Sequence, residues 1–367
     1  MQRARVLAIG VSCLAVFVGA CGTLLGITPD DPAPDAASGM SDATADGGPD
    51  AIVASDGGGG GDADAAPGLP PDCTSAGATG TCTLATGIAN LGTIAVGNNY
   101  VYFAHHVPGG AIEKVPTAGG PVSSFASGGQ MPAALFASPA AIYWVTSDDQ
   151  IARKQWDAAM PQTSNTGSSA AGGIVAVGPN TWFTIPGTGA NGTVQYSMTT
   201  FGPGSSIVTS AGMPTAIAAD DTYVYYASKS ATGSIARVAG GGGTVTTSPT
   251  PHKNIGAIAL STAGGGFVAF TSEDGVFRAP TTSDTAFMSQ WAKVSFDTTG
   301  VGLVADDNTG NIFVLTANGT LETIANLPPP AASAKQVPGC SMGTAIAQDV
   351  SNVYVACGDT ILRVPKI

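Results

Sequence analysis

Hydrophobic and polar positions alternate in short runs along most of this chain, and Gly, Asn and Asp cut the runs apart. The stretch Ile217–Val238, IAADDTYVYYASKSATGSIARV, carries the pattern in full. Ile217-Ala-Ala leads into an Asp220-Asp221-Thr222 turn, then Tyr223–Ala227, a Thr232-Gly233 turn and Ile235–Val238. Aromatic and β-branched residues alternating between Gly/Asx turns predict antiparallel strands rather than helix. No segment reads as a long amphipathic helix.

The unit recurs. Its first-strand position falls at Ile94, Leu135, Val175, Ile217, Ile258, Leu303 and Ile346, at spacings of 41, 40, 42, 41, 45 and 43. A second column, the apolar residue that opens the third strand, gives the same register at Ile112, Ile151, Val194, Ile235, Val276, Leu321 and Ile361. Turn formers precede it, among them Asn191-Gly192, Asp274-Gly275, Asn318-Gly319 and Gly358-Asp359. Such pairs favour the left-handed conformations of tight hairpins. A period of about 42 residues with about four strands per unit is propeller spacing. Seven units account for residues 73–367, so the expected fold is all-β, a seven-bladed β-propeller in one domain. The seventh unit runs out after three strands, Thr344–Ala347, Asn352–Ala356 and Thr360–Pro365. Its missing outer strand is best supplied by Cys82–Thr86, so an N-terminal outer strand closes the ring.

Charge changes the picture only when it is divided along the chain. The net charge is −12, from 25 acidic and 13 basic residues. Residues 1–21 hold Arg3 and Arg5 and no acid, and residues 22–72 hold ten Asp and no base. Removing those ten acids and two bases leaves 15 against 11, or −4, on residues 73–367. A near-neutral propeller lacks the basic footprint of nucleic-acid binding. Residues 22–72 are rich in Gly, Ala, Asp and Pro and poor in large apolar groups, the composition of a disordered linker. Fifty-one such residues give an r.m.s. reach of about 40 Å.

The N-terminus reads as a targeting segment. Arg3 and Arg5 form a basic n-region and Val6–Ala20 an apolar h-region of signal-peptide length. Val18-Gly19-Ala20-Cys21 resembles the lipobox of bacterial lipoprotein signal peptides. That resemblance implies removal of the preceding residues and lipidation of Cys21. Gly22 after the Cys, rather than Asp, points to the outer membrane over the inner. The alternative is an uncleaved anchor, because Val6–Thr28 is an uncharged run of 23 residues.

Four cysteines then remain in the domain, an even number in an exported, oxidising setting. The repeat places Cys340 before an inner strand and Cys357 at the end of the next, both on one face. Cys82 begins the closing outer strand on the opposite face. The expected pairs are Cys73–Cys82 and Cys340–Cys357, the latter contributing about 3 kcal/mol.

Candidate chemistry is sparse. Gly339-Cys340-Ser341-Met342-Gly343 fits G-x-S-x-G, but a nucleophile elbow needs a strand-to-helix turn and here a strand follows. Gly187–Gly192 fits G-x-G-x-x-G inside a hairpin, with no helix to meet a phosphate. His105 and His106 follow the second strand of the first repeat, and His252 precedes the first strand of the fifth. All three map to one face, a candidate ligand or metal face. Against that stands the plainer reading of exposed loop residues. Asp220-Asp221, Asp306-Asp307 and Asp349 recur at the first hairpin turn on the other face, where Asx side chains cap turns. A basic column, Lys114, Arg153, Arg237, Arg278 and Arg363, recurs in the third strand, suited to pairing or stacking between blades. The aromatic second strands (Tyr102-Phe103, Tyr143-Trp144, Trp182-Phe183, Tyr225-Tyr226) should be inter-blade core. Asn191-Gly-Thr193 and Asn318-Gly-Thr320 read as hairpin turns rather than glycosylation acceptors.

The repeat, with an Ile-Ala-x-Asp-like first strand, an aromatic second strand and a Gly-x-Ile-x-Arg-Val third strand, resembles the YWTD and NHL propeller repeats. Ile142-Tyr143-Trp144-Val145-Thr146-Ser147-Asp148 is the nearest approach to the former. YWTD propellers have six units where this chain has seven, so no functional residue is carried over. The resemblance implies a binding propeller, with enzymatic members such as streptogramin lyase-like propellers as the minority. The expectation is therefore a lipid-anchored, monomeric binding or scaffold module of the cell envelope. Its partner would be an envelope protein or polysaccharide, with no cofactor. The alternative is a propeller enzyme, a lyase or hydrolase, using the histidine face.

Overall fold

Short runs of β-branched and aromatic residues between turn formers cannot bury an apolar face alone, so they pair into small sheets and stack. The computed structural model describes residue 73 and residues 80–126, 131–166, 172–187, 191–197, 204–229, 232–248, 251–295, 300–326 and 331–366. They fall within one compact unit, Asp64–Ile367. Cys21, the signal segment and the whole 22–72 linker lie outside the described residues.

Seven four-stranded antiparallel sheets form the ring. Their inner strands are Leu91–Gly97, Ala134–Ala137, Ile174–Val177, Pro214–Ala219, Ile258–Ser261, Gly300–Ala305 and Gly343–Gln348. Each inner strand packs beside the next, and the seventh packs beside the first. The expected repeat register holds throughout: all seven third-strand residues from Ile112 to Ile361 are buried. The tight turns use the predicted chemistry. In blade one Asn98 and Asn99 take φ of 48° and 63°, a left-handed pair that matches strand twist. The second-strand aromatics are buried between blades, as expected. The one α-helix among the described residues, Asp284–Ser289, is an insertion in blade five capped by Ser283, whose side chain accepts from the Ala286 amide.

Closure follows the expected route. Cys82–Ala85 is the outer strand of the seventh sheet, antiparallel to Thr360–Pro365, with Cys82 opposite Arg363 and Ala85 opposite Ile361. Leu84 and Ile88 join one buried cluster with Phe103 of blade one and Tyr354 and Ile361 of blade seven. The closing segment thus seals two blades at once. Arg363 adds to the seal, donating through Nη2 to the Cys73 carbonyl at 3.0 Å and through Nη1 to Thr117 O at 3.1 Å.

Both disulfides form as the topology required. Cys73 and Cys82 lie 5.6 Å apart between Cα atoms, and Cys340 and Cys357 lie 5.2 Å apart. Gly343 pairs with Cys357, so only the short Cys340–Met342 segment has to fold back. That fold is held from blade six, where the Gln336 amide donates to the Cys340 carbonyl at 2.6 Å.

Candidate functional site

Each inner strand is the free edge of its sheet, so seven unpaired strand edges look onto the central axis. Where they begin, here called the upper face, a cavity of about 540 Å³ opens. All seven blades line it, through small residues such as Gly92, Gly173, Thr215, Gly302 and Thr344. Two of these glycines stand in crowded places. A Cβ on Gly302 would sit 2.7 Å from Ile346 Cγ2, and one on Gly173 would sit 3.1 Å from Ile217 Cγ2. A second cavity of about 450 Å³ opens on the lower face, lined by the whole first-strand column from Ile94 to Ile346 together with Asp307 and Gln348. Ile174, Ile217, Ile258, Leu303 and Ile346 border both cavities, so an aliphatic waist divides the channel.

The structure does not bring the three histidines into one site. His106 alone borders the upper cavity, with Nδ1 3.2 Å from the Pro132 carbonyl. The carbonyl can only accept, so Nδ1 carries the proton of this contact. His105 is turned away: Nδ1 lies 2.9 Å from Ala89 O and Nε2 2.9 Å from Glu113 Oε2. It ties the closing segment to the third strand of blade one. His252 departs furthest from an exposed loop residue. It is 3 % exposed, and its ring stands 4.4 Å from Phe277 and 4.7 Å from Phe270 between centroids. Its backbone amide donates to Gly233 O at 2.7 Å, which draws the segment under the blade four to blade five joint. Among the described residues no group of three or more His, Cys, Asp or Glu is placed to hold a metal.

His252 Nε2 and the neighbouring Trp291 Nε1 are both buried without a hydrogen-bond partner. Burial holds the His252 imidazole below its ordinary value of 6.5, against the opposing pull of the Asp274 carboxylate. The unfolded chain therefore takes up a proton at a pH where the folded chain does not. The stability this residue contributes is complete above pH 6.5 and falls away as pH drops through the lower folded value. His252→Phe, which keeps an aromatic ring against Phe270 and Phe277, should flatten that part of the curve. Thermal melts of both proteins from pH 7.5 to 5 check it (a working range set around the ordinary histidine value). Parallel curves would show that His252 is not the titrating group.

The acidic column is structural where the structure describes it. Asp220 Oδ1 accepts from the Thr222 and Tyr223 amides at 2.8 and 2.6 Å, and Asp349 Oδ1 accepts from Ser351 and Asn352 at 2.8 and 2.7 Å. In both turns the second oxygen takes a tyrosine hydroxyl, from Tyr225 at 3.2 Å and Tyr354 at 2.6 Å. Burial, with the adjacent aspartate, pushes both phenols well above the ordinary tyrosine range, so they remain donors. Asp306 is buried, which by itself raises a carboxyl. The Asn308 amide, the Thr309 hydroxyl and Lys366 nevertheless hold it below its ordinary value.

The basic column mixes contacts within and between blades. Lys114 stacks over Tyr100 of its own sheet at 4.3 Å, and Arg153 Nε donates to Gln162 at 2.7 Å in its own sheet. Arg237, Arg278 and Arg363 reach the next blade, at Asp284, Asn326 and Thr117 respectively. Arg237 makes the densest set, which nothing in the sequence beyond the column itself foretells. The G-x-S-x-G match is disposed of by the Cys340–Cys357 bond and the strand that follows. The G-x-G-x-x-G match lies partly outside the described residues.

One feature of the upper face went unread in the sequence. Met131, Met213 and Met342 each stand four residues before the column positions Leu135, Ile217 and Ile346. Read as apolar residues, they look like core. In the structure Met213 and Met342 are exposed and Met131 is half-buried, each just ahead of an inner strand whose first residues line the upper cavity.

Seven four-stranded sheets around one channel, closed by an N-terminal strand, define a seven-bladed β-propeller. Among solved structures, the chain is similar to the computationally designed Ika8 protein, with a TM-score of 0.56 and 14 % identity over 78 % of this chain and 98 % of that one. At that identity the likeness is one of fold alone. No protein-family model and no curated protein matches the chain.

Proposed function

We propose that this protein is a membrane-tethered lipoprotein of the cell envelope whose propeller serves as a binding or scaffold module. Kinship with the YWTD and NHL repeats belongs to the same proposal and rests on the repeat residues quoted above. The observation that carries the binding reading is the upper cavity. It is built from every blade, has a volume ordinary for a ligand site and is walled by small side chains and strand edges. The tethering reading rests on the basic, apolar and Cys21-terminated start of the chain and on the Asp-rich linker. Lipid on Cys21 would hold the protein to the membrane, most naturally the outer one given Gly22, and about 40 Å of linker would let the propeller stand clear. The partner would be an envelope protein or polysaccharide. The enzyme reading has less support, because only one of the three histidines reaches the cavity and, among the described residues, no carboxylate lines it.

Cys21→Ser is expected to abolish incorporation of radiolabelled fatty acid and to move the protein out of the membrane fraction. A Cys21→Ser protein that stays fully membrane-bound would favour the uncleaved Val6–Thr28 anchor instead.

A further inference from the structure

Eight large apolar side chains stand exposed among the described residues, and none of them is aromatic. Three of the eight, Met213, Val301 and Met342, lie at the beginning of inner strands on the upper face. Val301 lines the cavity itself, while Met213 and Met342 precede the lining residues Thr215 and Thr344 by two positions. Met342 is 56 % exposed. Met131, held by its amide to Val107 O at 3.2 Å, takes the equivalent place before blade two.

We propose that this rim and the cavity behind it dock an uncharged, apolar polypeptide segment, a loop or chain end of a partner protein. The inference rests on the binding-module reading above and narrows it to one class of partner. Three observations choose that class. First, among the described residues His106 is the one titratable side chain that borders the cavity. A phosphate, carboxylate or acidic sugar would be desolvated there with no Lys or Arg among the described lining residues to meet it. Second, the walls are the unpaired edges of seven strands with small side chains, which present backbone N–H and C=O groups. A peptide backbone carries the complementary groups. Third, sugars are held by aromatic faces, and the tyrosines and tryptophans of the second strands are buried between blades instead. Methionines at the rim supply flexible, polarisable apolar contact that adapts to a peptide side chain.

The test uses the full chain in lipid nanodiscs and fluorescence anisotropy. The probes are a short fluorescent peptide with a Leu-Met-Leu centre in a Gly/Ser frame, the same peptide with an Asp centre, and maltohexaose as unlabelled competitor. The apolar peptide is expected to bind saturably and the Asp-centred one about tenfold or more weakly. Met213→Glu with Met342→Glu should weaken the apolar peptide by a similar factor. Met160→Glu, in the outer turn of blade two, should leave binding unchanged. Both rim residues are exposed, so an unaltered melting curve would confirm that the variant folds. Equal binding of the two peptides, or binding that ignores the rim glutamates, overturns the inference. If maltohexaose displaces the peptide and itself depends on the rim, the occupant is a sugar. The inference then fails while the binding module stands. Silence from every probe overturns both readings of the cavity and leaves the anchor to its own fractionation test.

Discussion

A chain lacking residues 73–90 is expected to melt far below the parent protein, while one lacking residues 30–68 melts at the parent temperature. The first deletion removes the outer strand Cys82–Ala85 and with it the only antiparallel partner of Thr360–Pro365 on that side. It also removes Leu84 and Ile88 from the cluster they share with Phe103, Tyr354 and Ile361. Burying two such side chains is worth about 3–6 kcal/mol together. Against a total stability of about 5–15 kcal/mol, that is a large fraction. The loss is not confined to one blade, because Ile88 and its neighbours pack the joint between the first and the last. An open ring also bares a strand edge that invites aggregation. The second deletion touches a segment whose composition offers few large apolar groups to bury. Differential scanning calorimetry of the two variants decides the matter, and similar drops in Tm would mean that the ring is not closed from the N-terminus.

The architecture could be read before the structure because its determinants are local and repeated. Asn, Asp and Gly at each hairpin fix where strands end, and one aliphatic position per unit marks the strand nearest the axis. That position, from Ile94 to Ile346, turned out to line the channel in every blade. The disulfides were legible for a related reason. Antiparallel strands put Cys340 and Cys357 on one face and Cys82 on the other, which left one sensible pairing.

What could not be read depends on contacts between distant residues. His252 sits among Pro251, Lys253 and Asn254, and such polar company reads as loop. Only the fold shows that its ring fills the space over Phe270 and Phe277. The methionines ahead of the inner strands are hidden in the opposite sense. An apolar residue beside a strand is taken for core, and nothing local says that the strand starts at a channel mouth. Arg237 belonged to a visible column, but its partner lies 47 positions away on an inserted helix that no repeat pattern predicts.

That pair gives the sharpest energetic expectation, because the exposed partner should matter more than the buried one. Arg237 is 1 % exposed and Asp284 is 59 % exposed. The guanidinium donates to Asp284 Oδ1 from Nη2 at 2.6 Å and from Nε at 3.0 Å, and to Thr281 O from Nη1 at 2.9 Å. It also lies over Tyr223 at 4.3 Å and Phe287 at 4.8 Å. Asp284→Ala strands a fully buried cation between aromatic rings, and breaking a buried pair in that way costs about 3–5 kcal/mol. The helix loses its first-turn acid as well, about 0.3–1 kcal/mol. Arg237→Met leaves the opposite situation. Asp284 stays hydrated, Met fills most of the space between the rings, and the cost should be about 1–2 kcal/mol for the changed packing and the unpaired Thr281 carbonyl. The double variant should then be close to Arg237→Met alone, so that the two single effects are strongly non-additive. Urea denaturation of the three variants measures all of this. A cost for Arg237→Met equal to or above that of Asp284→Ala would show that Arg237 acts through packing rather than through its buried charge.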